Sequence, residues 1–215
     1  RDYYASRGLG DVYKRQGSKV SQEYAPLAVQ KGAYVIDNSS AWRMDDNCAL
    51  VVPEVNMDDI FVKSKIIANP NCSTIQAVLP LKILNDHFGI KRVTYTTYQA
   101  VSGSGQKGIE DLKRTKNNHT NIFYPYDISK TCIPEIDEFL DNGYTKEEMK
   151  VANETKKILH LPEDLPISCT AARVPVYNGH SEAVDIEFEE EISPDEVREI
   201  MQNTFGICLL YTSPS

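Results

Sequence analysis

Short apolar runs alternate with helix-compatible segments in the first third of the chain. Residues 34–36, 50–52 and 65–68 are apolar, short and bounded by turn-forming residues, a pattern typical of buried strands. A helical pattern covers residues 22–31 and ends at Gly32, and it tolerates its proline only in the first turn. Strands that alternate with crossover segments predict a parallel α/β sheet.

After residue 71 the pattern changes to longer elements. Residues 91–101 alternate β-forming side chains and predict an extended strand, and residues 105–116 and 144–159 predict helices. Thr145 followed three residues later by Glu148 forms a capping box for the second helix.

The end of this second region predicts a hairpin followed by a helix. Two strand patterns, 167–176 and 181–189, flank the dipeptide 178–179, Asn-Gly, which is typical of a two-residue turn. Ser193 as N-cap with Pro194 at the first helical position predicts a last helix. The region therefore indicates an α+β domain with an antiparallel sheet.

Cys72 lies at the junction of the two regions. Asn69 and Pro70 end the preceding strand, and a helical pattern begins after the cysteine, although Pro80 should kink or split that helix. Free N–H groups and the positive dipole end at a helix N-terminus favour a thiolate, which would make Cys72 a nucleophile. The alternative is a cysteine that serves as a small buried hydrophobe.

Composition indicates which kinds of partner and which cellular compartment to expect. The formal charge of −8 argues against nucleic-acid binding, and no apolar stretch approaches the roughly 20 residues that cross a bilayer. Five cysteines without a C-x-x-C pair argue against a disulfide scaffold or a structural metal site. We therefore expect a cytoplasmic protein whose partner is a small molecule.

Several longer motifs carry a resemblance to one family. They occur in one order along the chain and extend over roughly residues 17–206. The chain resembles aspartate-semialdehyde dehydrogenase in the following motifs: VIDNSSAWR at 35–43, LVVPEVN at 50–56, NPNCST at 69–74, TYQAVSGSG at 97–105, GYTKEEMK at 143–150, ETKK at 154–157, RVPV at 173–176 and GHSE at 179–182.

The resemblance implies a division into domains. Residues 17–70 are expected to be the C-terminal half of a Rossmann-like NAD(P)-binding domain, whose Gly-rich phosphate turn the chain does not show. Residues 71–206 are expected to form a truncated catalytic and dimerisation domain of the glyceraldehyde-phosphate-dehydrogenase-like α+β type. Residues 1–16 and 207–215 do not match and are expected to be non-native or disordered. The chain by itself is expected to be inactive.

The resemblance also implies a reaction and its residues. The reaction is the reductive dephosphorylation of L-aspartyl 4-phosphate to L-aspartate 4-semialdehyde with NADP(H), through a cysteine thioester, in lysine, threonine and methionine biosynthesis. Cys72 is the implied nucleophile and His180 the implied general acid/base, in a homodimer or homotetramer without a metal. The other implied site residues are Gln99, Glu154 and Arg173 for the substrate, Arg43, Asn71 and Lys157 for phosphate, and Ser39, Ser102 and Gly103 for the cofactor.

The predicted hairpin makes a geometric prediction about Arg173 and His180. If residues 178–179 form a two-residue turn, these side chains share one sheet face about 13 Å apart along the strand, with a small substrate between them. Three alternatives remain open: a related acyl-phosphate reductase, such as the N-acetylglutamyl-phosphate type, a cysteine hydrolase or acyltransferase, and an inactive fragment. Arg173 together with Glu154 favours a free amino acid as substrate, because its carboxylate and ammonium groups each need a partner.

Overall fold

The first sheet is parallel, as the alternating pattern predicts. The computed structural model describes residues 12–14 and 17–210. In this part of the chain, the sheet has four parallel strands in the order β1-β2-β4-β3, and the strands are β1 Val12–Lys14, β2 Val35–Asp37, β3 Ala49–Leu50 and β4 Ile66–Ala68.

The ends of the chain are described only in part. Residues 12–14, which were expected to be non-native or disordered, form β1 beside β2. The same expectation for residues 1–11, 15–16 and 211–215 lies outside the described residues.

Helix α1, Ser18–Gln30, packs on this sheet and corrects one prediction. The helix begins four residues earlier than predicted, so that Pro26 lies in its third turn rather than its first. Proline leaves the carbonyl four residues back without a donor, but that residue, Gln22, is exposed, and water can take the donor's place. Ala25, next to the proline, is buried in a cluster with Val35 and Ile66, which stabilises the helix.

The second sheet has a different topology from the predicted hairpin. Its strands are β5 Ile90–Gln99, β6 Ile167–Arg173 and β7 Ser181–Phe188, in the order β6-β5-β7. Strand β5 is parallel to β6 and antiparallel to β7, so the sheet is mixed rather than antiparallel.

The hairpin prediction is therefore wrong, and the hydrogen bonds show why. The segment 174–180 does not turn back on β6 but crosses the end of β5. Val101 N donates to Val176 O at 2.9 Å, and Ser102 N donates to Tyr177 O at 3.1 Å. These bonds hold the connection against the loop that follows β5, and β7 then pairs with the far side of that strand.

Two long helices, α3 Cys72–Phe88 and α5 Lys146–Leu159, cover the second sheet. Helix α3 continues through Pro80, so the predicted split does not occur; the unpaired carbonyl would be that of exposed Gln76. The core between helices and sheet contains Val78, Leu81, Val93, Tyr95, Val151 and Ile158.

The remaining helices are short or peripheral. They are α2 Pro53–Asn56, α4 Gly105–Lys116 and α6 Pro194–Gln202, with 3-10 turns at Met57–Phe61 and Val101–Ser104. The predicted capping box of α5 is present, and the predicted N-cap of α6, Ser193, forms a capping box as well. Across residues 12–14 and 17–210, no helix is long and apolar enough to cross a bilayer.

Candidate active site

The N-terminus of α3 positions the candidate nucleophile. Strand β4 ends at Ala68, and Asn71 caps the helix by accepting a hydrogen bond from Ser73 N at 2.9 Å through Oδ1. Cys72 is the first residue of the helix and is exposed. Local sequence therefore places this thiol at the junction of the two sheets.

His180 reaches the same place from the segment that leads into β7. Its Nε2 lies 3.2 Å from Cys72 Sγ, although 108 residues separate the two in sequence. The backbone N–H of Ala100 donates to His180 Nδ1 at 2.9 Å. The structure thus brings together the two residues predicted to be catalytic. The hydrogen bond from Ala100 holds the imidazole on the side away from the sulfur.

Arg173 lies beside His180 at the end of β6. Its Nη1 donates to Ala100 O at 2.8 Å and lies 3.5 Å from Gln99 Oε1. A Cβ added to Gly103 would lie 2.7 Å from Arg173 Nη1 and 3.3 Å from His180 Cε1. The two side chains are neighbours across the tip of β5, which replaces the predicted 13 Å separation along a hairpin.

Glu147 is a site residue that the sequence reasoning missed. Its Oε1 accepts hydrogen bonds from Asn71 Nδ2 at 2.9 Å and from Gln99 Nε2 at 3.2 Å. Its Oε2 lies 3.4 Å from Lys150 Nζ. The carboxylate is buried among the groups that surround the sulfur.

A repeated motif explains why Glu147 was missed. The spacing E-x-x-K occurs twice on α5, as Glu147 with Lys150 and as Glu154 with Lys157. Seven residues are about two helical turns, so both pairs lie on nearly the same helix face. The spacing alone does not distinguish the two pairs, and the structure shows that Glu147 is the one whose charge acts on Cys72.

Glu154, predicted as a substrate ligand, accepts hydrogen bonds from the protein at both carboxylate oxygens. It is 1% exposed, its Oε1 accepts from Arg43 Nη1 at 3.1 Å, and its Oε2 accepts from Asn71 N at 2.6 Å. Burial raises the pKa of Glu154, and the neighbouring guanidinium opposes that rise. Glu154 therefore ties the first sheet's loop to the start of α3.

Lys157 and Arg43, predicted to bind phosphate, also make protein contacts. Lys157 Nζ donates to the carbonyls of Arg43 and Asp45 at 2.8 and 2.7 Å, and burial lowers the pKa of this lysine. Arg43 Nη2 donates to Asn38 O at 3.2 Å, while its buried Nε has no hydrogen-bond partner among the described residues. Arg43 therefore keeps one donor unused.

The surroundings of Cys72 oppose the thiolate that the helix N-terminus was expected to favour. Burial by the surrounding protein is the main cause that raises the pKa of the Cys72 thiol, even though part of the residue is accessible, and the Glu147 carboxylate raises it further. Two influences lower the pKa of this thiol: the backbone N–H groups of Cys72 and Ser73, and the positive charge of Arg173. Together they are smaller than the influences that raise the pKa, so the helix N-terminus does not by itself favour the thiolate.

The same surroundings act on the imidazole in the opposite sense. Burial lowers the pKa of His180, and the positive charge of Arg173 lowers it further, while Glu147 opposes both. The protein groups around the site therefore favour a neutral histidine and a protonated thiol.

The predicted cofactor residues lie in two places, the carboxyl end of the first sheet and the 3-10 turn that follows β5. Ser39 follows β2 at the carboxyl end of the parallel sheet, where nucleotides bind in such folds, and its Oγ donates to Asp37 Oδ2 at 2.7 Å. Asp37 is 1% exposed, and its Oδ1 has no hydrogen-bond partner in the described part of the chain. Ser102 and Gly103 lie in the 3-10 turn beside His180.

Two of these features fit a bound nicotinamide cofactor. The unpaired Asp37 oxygen offers an acceptor for a ligand hydroxyl, and Gly103 leaves space that a side chain would fill. Among residues 12–14 and 17–210, no group of three or more His, Cys, Asp or Glu side chains is arranged to hold a metal ion.

Comparison with known proteins identifies the family. Residues 81–210 match the semialdehyde dehydrogenase dimerisation domain, and residues 14–62 match the semialdehyde dehydrogenase NAD binding domain. The chain belongs to the semialdehyde dehydrogenase family.

Its relatives define the resemblance more narrowly. An aspartate-semialdehyde dehydrogenase of Aquifex aeolicus is 49% identical over 95% of this chain, and one of Campylobacter jejuni is 46% identical over 90%. These matches confirm the resemblance seen in the motifs. The chain spans 62% and 59% of these two relatives' lengths.

Solved structures confirm the fold class. The structure of aspartate semialdehyde dehydrogenase II from Vibrio cholerae complexed with ASA has a TM-score of 0.86 and 44% identity, over 91% of this chain and 60% of that one. The Candida albicans enzyme with NADP has a TM-score of 0.70 and 28% identity, over 90% of this chain and 55% of that one. A partial Rossmann-like domain followed by a glyceraldehyde-phosphate-dehydrogenase-like α+β domain is therefore the architecture of this chain.

Proposed function

We propose that this chain belongs to an enzyme that converts L-aspartyl 4-phosphate into L-aspartate 4-semialdehyde with NADPH, in lysine, threonine and methionine biosynthesis. The observation that carries the proposal is the 3.2 Å contact between Cys72 Sγ and His180 Nε2 at the N-terminus of a helix, with Arg173 alongside. The names of the relatives support the choice of substrate.

Cys72 is the nucleophile of the proposed reaction. Its sulfur attacks the acyl carbon, a C–S bond forms, and the C–O bond to phosphate breaks with the electron pair leaving on phosphate. A covalent thioester replaces one difficult step by two easier ones. A bound nicotinamide cofactor supplies the hydride that reduces the thioester carbonyl.

Two residues are proposed to hold the amino-acid end of the substrate. The guanidinium of Arg173 suits the α-carboxylate, because its planar fork can donate two parallel hydrogen bonds. We assign the ammonium group to Glu147 instead of Glu154, because the charge of Glu147 acts on the Cys72 sulfur, while Glu154 pairs with Arg43 and with the backbone N–H of Asn71. Gln99 orients the substrate between them.

The phosphate site is proposed to contain Arg43, Asn71 and Lys150. Asn71 adjoins the nucleophile, and Arg43 has an unused donor. Lys150 Nζ lies 3.4 Å from Glu147 Oε2, whose charge acts on the sulfur, and also pairs with Asp137 at 2.7 Å. Lys157 instead orders the Arg43 loop by donating to two of its carbonyls. Cationic groups here would stabilise the charge on the departing phosphate.

Ser39, Ser102 and Gly103 are proposed to hold the cofactor, with the nicotinamide toward Gly103. The NAD binding family match and the NADP in the Candida structure support a nicotinamide cofactor, and we choose NADP(H). The match to a dimerisation domain supports an oligomer, for which we propose a homodimer or homotetramer.

The proposal is tested by following NADPH oxidation by a chain of the relatives' full length, with L-aspartyl 4-phosphate as substrate. We expect turnover that Cys72→Ala abolishes and that Cys132→Ala, at another exposed cysteine, leaves intact. N-acetylglutamyl phosphate is expected to react far more slowly, because its acylated nitrogen cannot pair with Glu147. Turnover that survives Cys72→Ala would refute the proposal.

A further inference from the structure

One buried carboxylate, that of Glu154, joins two residues of the proposed phosphate site. Its Oε1 accepts from Arg43 Nη1 at 3.1 Å, and its Oε2 accepts from Asn71 N at 2.6 Å. These partners lie 111 and 83 residues away in sequence, one after the first sheet and the other at the N-cap of α3. Glu154 therefore holds Arg43 and Asn71 in place relative to each other.

Helix α5 contacts Arg43 at a second point. Lys157 follows Glu154 by three residues and so lies on the same helix face, and its Nζ donates to the carbonyl oxygen of Arg43 at 2.8 Å. The helix thus holds the backbone of Arg43 through Lys157 and the guanidinium through Glu154. Contacts at both ends restrict a side chain that has many rotamers when it is free.

The contacts of the Arg43 guanidinium leave one donor for a ligand. Nη1 donates to Glu154, and Nη2 donates to Asn38 O at 3.2 Å. Because the guanidinium is planar, bonds at both terminal nitrogens also set the direction of the Nε–H group. Nε is buried and has no hydrogen-bond partner within the described residues. A buried donor of this kind indicates a place where an acceptor binds, and phosphate oxygens are strong acceptors for arginine.

The charge and the geometry of Glu154 have opposite effects on a bound anion. A negative carboxylate repels phosphate, so its neutralisation would strengthen phosphate binding if charge were the only effect. The geometry acts the other way, because Arg43 and Asn71 can both keep their bonds only while two acceptor oxygens lie between them. The direction of the change in affinity therefore separates the two effects.

We propose that Glu154 is a positioning residue of the phosphate site, a role that rests on the proposed function for the identity of the phosphate group. Its carboxylate holds the Arg43 guanidinium against the N-cap residue Asn71, so that both contact the phosphate group of the bound substrate. Glu154 acts through these two partners and does not itself contact the substrate.

Phosphorus-31 NMR titration of the 215-residue chain with inorganic phosphate tests this role without turnover. Glu154→Gln keeps one acceptor oxygen but places an NH₂ group against either Arg43 or Asn71 N, so we expect phosphate to bind about tenfold more weakly or worse. Glu163→Gln, which removes an exposed negative charge beyond α5, is expected to leave the affinity unchanged. Phosphate binding that is unchanged or stronger in Glu154→Gln, or that is absent from the parent chain, would overturn the proposal.

A second variant keeps the test decisive if Glu154→Gln does not fold. Glu154→Asp retains the negative charge and both oxygens but withdraws them by one methylene group, so they no longer reach Arg43 and Asn71 together. Circular dichroism establishes that each variant is folded at the temperature of the titration. We expect weaker phosphate binding in folded Glu154→Asp although the charge is the same, and an affinity equal to that of the parent would contradict a positioning role.

Kinetics of a chain of the relatives' full length, followed from the aldehyde side, give a readout that a merely structural role would not move. In that direction L-aspartate 4-semialdehyde, phosphate and NADP⁺ are separate substrates, so each has its own KM. We expect Glu154→Gln to raise KM for phosphate by about tenfold or more and to keep KM for the aldehyde within about twofold. Equal increases in both values would identify a general structural defect and refute the positioning role. A parent enzyme without turnover would instead refute the proposed function, and the phosphate titration would still decide the role of Glu154.

Discussion

The carboxylate of Glu147 accepts a hydrogen bond from the amide of Gln99, with 3.2 Å between Oε1 and Nε2. The same oxygen accepts from Asn71 Nδ2 at 2.9 Å, so one negative charge is held beside Cys72, the proposed nucleophile. That charge is one of the causes that raise the pKa of the Cys72 thiol. An ammonium group bound at Glu147 would cancel this effect, so that substrate binding would favour the thiolate.

Glu147→Gln is expected to lower the pKa of the Cys72 thiol. The negative charge destabilises the thiolate, so its removal shifts the ionisation to lower pH and increases the thiolate fraction at any pH below it. The measurement is the pH dependence of alkylation by neutral iodoacetamide. Glu163→Gln, an exposed site beyond α5, is the control. An alkylation profile that stays in place or moves to higher pH would show that Glu147 does not act on the sulfur.

Substitution of the two glutamates of the repeated motif is expected to affect stability to different extents. Glu154→Gln puts an NH₂ group against either Arg43 or Asn71 N–H and leaves a buried guanidinium without its counter-charge, a loss of about 3 kcal/mol in unfolding free energy. Urea denaturation measures this loss. Glu147→Gln keeps an amide oxygen for Asn71 and should cost much less stability.

In an enzyme of full family length, the same pair separates folding from binding. Glu147→Gln is expected to raise KM for the amino-acid substrate by about tenfold or more, because an ammonium group loses its carboxylate partner. Steady-state kinetics at constant cofactor concentration checks this value. If Glu147→Gln has a normal KM and a well-folded Glu154→Gln has a raised KM, then Glu154 and not Glu147 binds the substrate ammonium group.

Gly103→Ala is expected to displace Arg173. The new Cβ would lie 2.7 Å from Arg173 Nη1, which is too close, and the guanidinium would lose its bond to Ala100 O. We expect weaker binding of the substrate carboxylate, by about tenfold in KM, with a small change in thermal stability because the chain has no positive φ here. Gln106→Ala, exposed in the next helix, serves as the comparison. An unchanged KM would show that Arg173 does not bind the carboxylate.

Glu182 makes stability depend on pH. Burial raises its pKa to about 7, so the folded chain holds a proton that the unfolded chain releases near its ordinary, lower pKa. Stability therefore falls as the pH rises from about 4.5 to about 7, and then levels off. Glu182→Gln should remove this fall and add about 1 to 2 kcal/mol at pH 8, a value reduced for partial exposure.

Urea denaturation of Glu182→Gln at about pH 5 and about pH 8 provides the measurement. Glu190→Gln, exposed just beyond β7, controls for the loss of one negative charge. If Glu182→Gln changes the unfolding free energy at each pH by the same amount as Glu190→Gln, then burial of Glu182 does not cause the pH dependence of stability.

Local signals in the sequence were sufficient for the elements that position the nucleophile. The helix start at Cys72 and the capping box at Thr145 depend on residues within a few positions of each other, so short-range chemistry determines them. The parallel strands up to Ala68 were predicted from short apolar runs for the same reason. Such features need no knowledge of the distant chain.

The failures came from contacts between distant segments. A type I′ turn needs positive φ at both central residues, but only Gly179 has one, at 83°, and Asn178 does not. The Asn-Gly signal therefore did not specify a hairpin, and pairing with β5 decided the topology. Likewise, Glu147 and Glu154 have the same spacing to a lysine, and only their neighbours from other elements distinguish them.

Acylation of Cys72 is the most direct test of the proposed chemistry. The 215-residue chain is mixed with freshly prepared L-aspartyl 4-phosphate, quenched in acid, and measured by intact-protein mass spectrometry with peptide mapping. We expect one aspartyl group on Cys72, removable by hydroxylamine, absent in Cys72→Ser and retained in Cys132→Ala. A chain that stays unmodified, or one that is acylated at another residue, would show that this sulfur is not the nucleophile.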